Sequence, residues 1–304
     1  MARTIAKETS VGARIGIIIL ILFGLMVIAA LTATLILLFN GTKASGNVAI
    51  IPVEGVILAS GDSYDGIVTA DTILADIAKA EDDPAIKAVV FRINSPGGSV
   101  VGSDEIVTAI NNMEKPSVAV IREAGASGAY WAASATDHVI ANSMSITGSI
   151  GVIGSYLSFG KFLSEWNVTY NQLISGDRKD VGTPFREPTP AEKQFLQQKL
   201  DTIHEYFIDS VAENRNMSVD EVTKYADGSF LLGTEAKDAG LVDELGGEEQ
   251  AYAWLNATYG IEAEPVVYEH KMSLLEALAS LKQQSLIPAA LSGATSEAMV
   301  PMAR

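Results

Sequence analysis

The feature that most constrains this chain is an uninterrupted apolar run near its N-terminus. Residues Ile15 to Phe39 contain no charged residue and no proline. A helix rises about 1.5 Å per residue, so this run exceeds the roughly 30 Å hydrocarbon core of a bilayer and fits a tilted spanning helix. The alternative, a cleavable signal peptide, has an apolar part of only about 7–15 residues. The sequence therefore favours an uncleaved transmembrane anchor over residues 15–39.

Basic residues flank this run unequally. Arg3, Lys7 and Arg14 precede it, whereas only Lys43 follows it closely. Basic flanks tend to remain in the cytoplasm, so residues 1–14 are expected to be cytoplasmic and the main domain extracytoplasmic. The predicted location is the cell membrane, with a single pass.

The rest of the chain is acidic and free of cysteine. The formal net charge of the 304 residues is −16, and cysteine is absent from the sequence. An acidic surface lacks the basic footprint that nucleic-acid binding requires, so no nucleic-acid partner is expected. The absence of cysteine excludes disulfides, thiolate metal sites and a cysteine nucleophile.

After a short linker at 40–47, strand and helix patterns alternate. Strands are predicted at Val48–Leu58 (broken by Glu54-Gly55), Ala88–Ile93, Ser117–Ile121 and Val139–Ala141. Helices are predicted at Ala70–Ala80, at Gly102–Met113 and from Ser127 onward. This alternation indicates βαβ units and a mostly parallel sheet with both faces covered. We therefore expect one α/β domain over residues 48–282.

The second half of that domain is predicted to be more helical. Thr189-Pro190-Ala191-Glu192 is a capping box with proline at the first helical position, and it opens a helix that runs toward Asn214. Ser218 with Glu221, and Ser273 with Glu276, repeat the spacing. Asp243–Gly247 is expected to separate two helices. Residues 283–304 are expected to form a flexible tail.

Two glycine-containing turns follow predicted strands and have chemical potential. In Asn94-Ser95-Pro96-Gly97-Gly98, the paired glycines can present N–H groups to a developing negative charge. In Gly125-Ala126-Ser127-Gly128, a serine lies among small residues at a helix start, where N–H groups lack intrahelical partners. Each turn also has an ordinary interpretation, because Pro-Gly-Gly forms many plain turns and a serine there is commonly a helix cap.

Taken together, the two turns resemble the Clp-type peptidase superfamily. Thr147-Gly148-Ser149-Ile150-Gly151-Val152 and Ser175-Gly176-Asp177-Arg178-Lys179-Asp180 narrow the resemblance to the signal peptide peptidase A family. The similarity covers about Val48 to Tyr259. It implies a Clp/crotonase-type fold and a membrane-anchored serine endopeptidase that degrades signal peptides or other unfolded apolar peptides. It also implies a ring-like homo-oligomer, with no cofactor and no metal.

The same resemblance assigns roles to five residues. Ser127 matches the family's nucleophile, and Lys179 matches the lysine that acts as its base. Ser149 matches a serine that orients this lysine. The backbone N–H groups of Gly98 and Gly128 match the oxyanion hole. In a ring, Ser127 and Lys179 of one site can belong to the same subunit or to different subunits.

The proposed base imposes a physical requirement on its surroundings. Lysine has a reference pKa of about 10.4 and accepts a proton near neutral pH only when burial lowers that pKa. A salt bridge to Asp177 or Asp180 would instead raise the pKa of Lys179. The hypothesis therefore requires Lys179 to be desolvated and not paired with either carboxylate.

The positions of the three histidines favour neither a metal site nor a Ser-His-Asp mechanism. His138, His204 and His270 lack metal-ligand spacing. A Ser-His-Asp enzyme of Clp type needs a histidine roughly 25 residues after Ser127, where none occurs. His138 is expected to be structural, and His204 to be a surface or interface residue.

Three other classes of protein remain open. A stomatin-linked type of membrane serine peptidase usually has further spans, and none is visible after Phe39. A crotonase-like acyl-CoA enzyme would need neither Ser127 nor Lys179. A non-catalytic membrane scaffold would tolerate the loss of both.

Overall fold

The structure, a computed structural model, describes residues 11–39, 46–61, 63 and 66–268. It divides into two units, residues 1–45 and 46–304. The described part of the first unit is helix α1 (Val11–Phe39), with side chains described at 15, 16, 18–32 and 34. Across the described residues, no helix is long and apolar enough to cross a membrane. The predicted span at 15–39 therefore stays a prediction.

The second unit contains the predicted alternation of strands and helices. Its first half consists of β1 (Val48–Glu54), β2 (Val56–Leu58), β3 (Ile67–Thr69), α2 (Ala70–Asp82), β4 (Ala88–Ser95), α3 (Val100–Asn111), β5 (Ser117–Ala126), α4 (Gly128–Ser134), β6 (His138–Ala141) and β7 (Ile146–Gly148). Its second half consists of α5 (Gly160–Glu165), α6 (Pro190–Asn214), α7 (Val219–Thr223), β8 (Phe230–Leu232), α8 (Gly233–Asp238), β9 (Glu244–Leu245), α9 (Glu248–Tyr259) and β10 (Pro265–Val267). His270, the predicted capping box at Ser273 and the predicted tail at 283–304 lie outside the described residues.

The main sheet is largely parallel, as the sequence predicts. Its strand order is β10-β1-β4-β5-β6-β9, and every neighbouring pair in that row is parallel. Strand β7 extends the C-terminal part of β5 in parallel, and β8 pairs with β7 in the antiparallel sense. The mixed α/β architecture is therefore confirmed.

Successive strand residues point into two different buried layers. Ile51 and Phe91 belong to the larger layer, beneath helices α2, α3 and α4. Ile50 and Val90 belong to the smaller layer, which packs on Leu255 of α9. The central strands are thus buried on both faces, which explains why their sequences are nearly continuous apolar runs.

The structure corrects two predicted element boundaries and one connection. Strand β5 continues five residues past Ile121, and α3 begins at Val100 because the Ser99 side chain caps it, accepting the Gly102 N–H at 3.2 Å. The helix-to-helix break predicted at Asp243–Gly247 is wrong in part, because β9 lies within it and extends the sheet edge beside β6. Two residues are too few to produce a recognisable strand pattern.

An ion pair between Arg215, directly after α6, and Asp243, directly before β9, leads to a stability prediction. Arg215 donates to both carboxylate oxygens of Asp243 at 2.6 and 3.0 Å, and Asp243 also accepts the Val139 N–H at 2.7 Å. The side chains of Arg215 and Asp243 are 7% and 31% exposed. Burial opposes ionisation of Asp243, but the hydrogen bonds and charge of Arg215 hold its pKa below the ordinary value.

Asp243→Asn should lower the free energy of unfolding by about 2–3 kcal/mol, because Arg215 would lose its partner in a largely buried place. A lowered pKa in the folded state stabilises the protein above the unfolded pKa of about 3.9, and this contribution is lost as the pH falls through the folded value. Urea unfolding at pH 7 and at pH 3 measures both effects. Glu205→Gln, at an exposed position of α6, is the control. An unchanged midpoint for Asp243→Asn at pH 7 would contradict the prediction.

Candidate active site

Both glycine-containing turns open onto one cavity of about 630 Å³. Ser127 and Gly128 reach it from the turn between β5 and α4, and Gly98 reaches it from the loop after β4. Ser149, directly after β7, also lines it. The carboxyl ends of three neighbouring parallel strands therefore bring four of the five predicted site residues together, as is usual in open α/β sheets.

Ser127 has an unusual backbone conformation. Its φ of 52° and ψ of −126° are rare for a residue other than glycine. Two hydrogen bonds hold the conformation: the Ser127 N–H donates to the Gly148 carbonyl at 2.8 Å, and the Trp131 N–H donates to the Ser127 carbonyl at 2.9 Å. The Ser127 hydroxyl does not cap α4. Ser127 thus occupies the N-cap position of α4 without the side-chain bond of an ordinary cap, and it lines the cavity on a sharp turn between strand and helix.

The loop after β4 packs directly against this turn. A Cβ atom on Gly97, whose φ is +92°, would lie 2.7 Å from the Gly128 nitrogen. A Cβ atom on Gly98 would lie only 2.0 Å from the Ile57 carbonyl oxygen. Only glycine permits backbone approach at this distance, which explains the paired glycines of the motif.

Two backbone N–H groups at this junction are without partners. Within the part of the chain that the structure describes, neither the Gly98 N–H nor the Gly128 N–H donates a hydrogen bond. A Cβ atom built on Gly128 would lie 3.6 Å from the Gly98 nitrogen, so the two residues are close neighbours. Free N–H groups beside a serine hydroxyl are the arrangement that stabilises an oxyanion in acyl transfer.

Ser149 connects the nucleophile turn to a more distant loop. Its own φ is 52°, its N–H donates to the Ser229 carbonyl at 2.9 Å, and its hydroxyl donates to the Gly228 carbonyl at 3.2 Å. It directly follows Gly148, the residue that fixes the Ser127 N–H. Ser149 therefore lies in the site, although its described hydrogen bonds do not involve Lys179.

Lys179 does not line the cavity of this single chain. It lies on a turn where its N–H donates to the Gly176 carbonyl at 3.1 Å, and its side chain is exposed. Among the described residues, its amine has no ion pair, and Asp180 binds Gln172 and Arg186 instead. The requirement for an unpaired lysine is met, but one copy of the chain does not desolvate it.

The cavity also contains residues that the sequence analysis did not assign to it. His204 of α6 lies in its wall, with Nε2 3.3 Å from the Ile150 carbonyl oxygen, and Asp227 lies at its rim. The sequence analysis expected His204 to be a surface or interface residue and did not place it at this cavity. Leu200, His204, Phe207 and Val211 follow a helical spacing that faces the core, a signal that could have placed His204 inward.

The other described histidine, which the sequence predicts to be structural, lies at the start of β6 and does not line this cavity. The His138 ring stacks on Trp254 with centroids 4.6 Å apart, at the start of β6. Within the described ranges, no group of three side chains is arranged to hold a metal ion.

Comparison with known proteins agrees with the geometry. Residues 109–262 match the family model described as peptidase family S49. A candidate protease of Synechocystis sp. is 35% identical over 227 residues, covering 74% of this chain and 79% of that protein. A candidate protease of Methanocaldococcus jannaschii is 36% identical over 173 residues, covering 56% of each chain. A candidate signal peptide peptidase SppA of Enterococcus faecium is 32% identical over 209 residues, covering 66% of this chain and 60% of that protein. The match thus spans less than two thirds of two of these three relatives.

Proposed function

This chain belongs to peptidase family S49, in the signal peptide peptidase A family, and from that premise we propose that it is a serine endopeptidase with Ser127 as nucleophile and Lys179 as base. The observation that carries the proposal is the Ser127 turn, where the hydroxyl and two nearby backbone N–H groups have no hydrogen-bond partner among the described residues. Peptide hydrolysis needs this combination of an exposed nucleophile and donors for the developing negative charge.

The proposed reaction has two halves. Ser127 Oγ attacks the peptide carbonyl carbon while the neutral Lys179 amine takes the hydroxyl proton, and the Gly98 and Gly128 N–H groups bind the oxyanion. The C–N bond then breaks as Lys179 returns the proton to the leaving amine. Water, deprotonated by Lys179, then attacks the ester carbonyl; the bond to Ser127 Oγ breaks as Lys179 returns the proton to that oxygen, which releases the acid product and restores the serine hydroxyl.

We assign the lysine of each site to a neighbouring copy of the chain. The segment 153–185 includes Lys179 and exposes an unusual number of large apolar side chains, namely Ile153, Tyr156, Leu157, Phe159, Phe162, Trp166, Val168, Tyr170, Leu173, Ile174 and Phe185. Exposed apolar surface on this scale is typical of an interaction site. Burial of this segment between copies in a ring would place Lys179 in a neighbour's cavity, where Ser149 would orient it and water would be excluded from it.

The cavity chemistry suggests the substrates. Trp131 and Phe207, which stack with centroids 4.7 Å apart, and Val100 give it apolar walls. Such walls suit unfolded apolar peptides such as released signal peptides. We propose that residues 15–39 anchor the enzyme in the membrane, with the peptidase domain extracytoplasmic, where such peptides are produced.

Covalent labelling tests the proposal. The full chain in detergent should react with a fluorophosphonate probe at Ser127, found by peptide mass spectrometry, and should cleave an unfolded apolar peptide. The probe's phosphorus forms a stable bond only with an activated serine. A crotonase-like enzyme would instead act on an acyl-CoA, and a scaffold would do neither. Absence of both labelling and cleavage would refute the proposed function.

A further inference from the structure

Arg186 joins two carboxylates from different parts of the fold. It donates to Asp180 Oδ2 through Nε at 2.8 Å and through Nη2 at 2.5 Å, and Nη1 donates to Glu192 Oε2 at 2.9 Å. Nη2 also contacts Glu192 Oε1. The side chains of Asp180 and Glu192 are only 9% and 13% exposed. Multiple charge-assisted bonds in a shielded place fix geometry far better than a single exposed pair.

Asp180 is the residue that follows Lys179, and its carboxylate binds Gln172 and Arg186. Gln172 Nε2 donates to Asp180 Oδ2 at 2.8 Å, on the same oxygen that Arg186 binds. The hydrogen bonds from Gln172 and Arg186 lower the pKa of Asp180. Asp180 is therefore an anion at neutral pH, and without Arg186 it would be a ready partner for the adjacent ammonium group.

Glu192 fixes the other end of the network to α6. Its Oε2 accepts the Thr189 N–H at 2.7 Å, completing the predicted capping box. Arg186, and then the bonds from Thr189, hold the pKa of Glu192 at about 2. The turn at 176–183 is thus tied through Arg186 to the first turn of α6, the helix whose His204 lines the cavity.

We propose that Arg186 is a positioning residue for the proton-accepting lysine: it fixes the lysine turn to α6 and keeps Asp180 from pairing with Lys179. The inference rests on the proposed function, since it takes Lys179 as the base. Arg186 itself touches no reacting atom. Its role is to leave the neighbouring amine free to lose its proton when the site is assembled.

The other charges near this turn are consistent with that role. Asp177 and Arg178 precede Lys179, and Arg178 lies over the Phe195 ring, 4.7 Å from its centroid. The Lys199 amine lies 5.6 Å from the same centroid, and Lys161 pairs with Glu187 at 3.5 Å. Across the described residues, neither Asp177 nor Glu187 forms an ion pair with Lys179. Asp180 is therefore the carboxylate whose release changes the surroundings of the lysine most directly.

The experiment is the pH dependence of kcat/KM for the full chain with Arg186→Gln. Release of Asp180 should move the rising limb, which reports deprotonation of the base, about one unit to higher pH. At pH values below this rising limb, kcat/KM should fall about tenfold, because one pH unit changes the neutral fraction of the lysine amine tenfold. At high pH the value of kcat/KM should recover. KM should change little. Arg186→Lys keeps the positive charge but loses the planar guanidinium that binds both carboxylates. It should therefore shift the rising limb of the pH profile less than Arg186→Gln does.

The double variant Arg186→Gln with Asp180→Asn separates positioning from general damage. It removes the released carboxylate, so the limb should return toward its wild-type position. Arg215→Gln is the matched control, because it breaks another arginine–carboxylate pair away from the turn and should leave the limb in place. An equal loss at every pH that the double variant does not recover would overturn the inference. Wild-type activity that survives Lys179→Ala would instead refute the proposed function.

Discussion

Peptide hydrolysis should fall at least about 10³-fold in kcat/KM when either Ser127 or Lys179 is replaced by alanine, since removing one member of a nucleophile–base pair disables the whole unit. Ser127→Ala should also abolish fluorophosphonate labelling, because the bond to phosphorus cannot form. Lys179→Ala should slow labelling but retain the site, because the hydroxyl remains without its base. Steady-state hydrolysis and labelling rates of the full chain measure both effects.

His204→Gln is the matched control for this experiment. His204 lies in the wall of the same cavity, but its Nε2 is directed at the Ile150 carbonyl oxygen. Its replacement by a neutral side chain of similar reach should preserve most of kcat. Full activity in either alanine variant would contradict the dyad, and a loss in His204→Gln as large as that in Lys179→Ala would transfer the role of base to the histidine.

Mixing the two inactive variants tests which copies supply the dyad. If the lysine comes from a neighbouring subunit, an oligomer of Ser127→Ala and Lys179→Ala chains contains sites with an intact serine and an intact lysine. Co-expression should then restore part of the activity that each variant lacks alone. A mixture that stays inactive, although mass measurements show mixed oligomers, would place both residues in one chain.

Gly98→Ala should lower kcat about 10²–10³-fold, the usual loss when an oxyanion donor is displaced. The new Cβ would lie 2.0 Å from the Ile57 carbonyl oxygen and 2.7 Å from the Ile57 nitrogen. Both are backbone atoms of β2, so they cannot move aside as a flexible side chain could, and the Gly98 N–H must shift. KM should change less than kcat, because the donor acts mainly on the transition state.

Gly247→Ala is the control for this substitution. It adds the same methyl group where no atom lies within 4 Å, at a backbone φ of −148° that any residue adopts. It should leave kcat and the melting temperature nearly unchanged. The oxyanion assignment would be contradicted if Gly98→Ala folded normally and kept the wild-type kcat.

Local patterns were sufficient to predict much of the fold. The parallel sheet follows from apolar runs buried on both faces, and the start of α6 follows from the Thr189–Glu192 capping box, where the signal and the structure involve the same few residues. The boundaries were less predictable. Strand β9 has two residues and forms only because β6 offers a free edge, which no local pattern encodes.

The candidate site, like the fold, could be predicted only in part from local sequence patterns. The motifs at Gly98 and Ser127 predicted residues that meet in space, because both follow strands of one parallel sheet. The place of His204 depends on how α6 packs across the cavity, some 77 residues after the serine in the chain. Lys179 is exposed and does not line this cavity in one copy of the chain, and the sequence of its turn contains no signal of that position.

The serine turn has a consequence for the newly made protein. Its conformation depends on the Gly148 carbonyl, and the next residue, Ser149, is held in turn by the Ser229 carbonyl. A ribosome-bound chain that has reached α4 but not these later segments can form the Trp131 bond to the Ser127 carbonyl, but it lacks the Gly148 carbonyl that accepts the Ser127 N–H. The full set of hydrogen bonds around the proposed nucleophile therefore forms only after the chain has been made as far as Ser229.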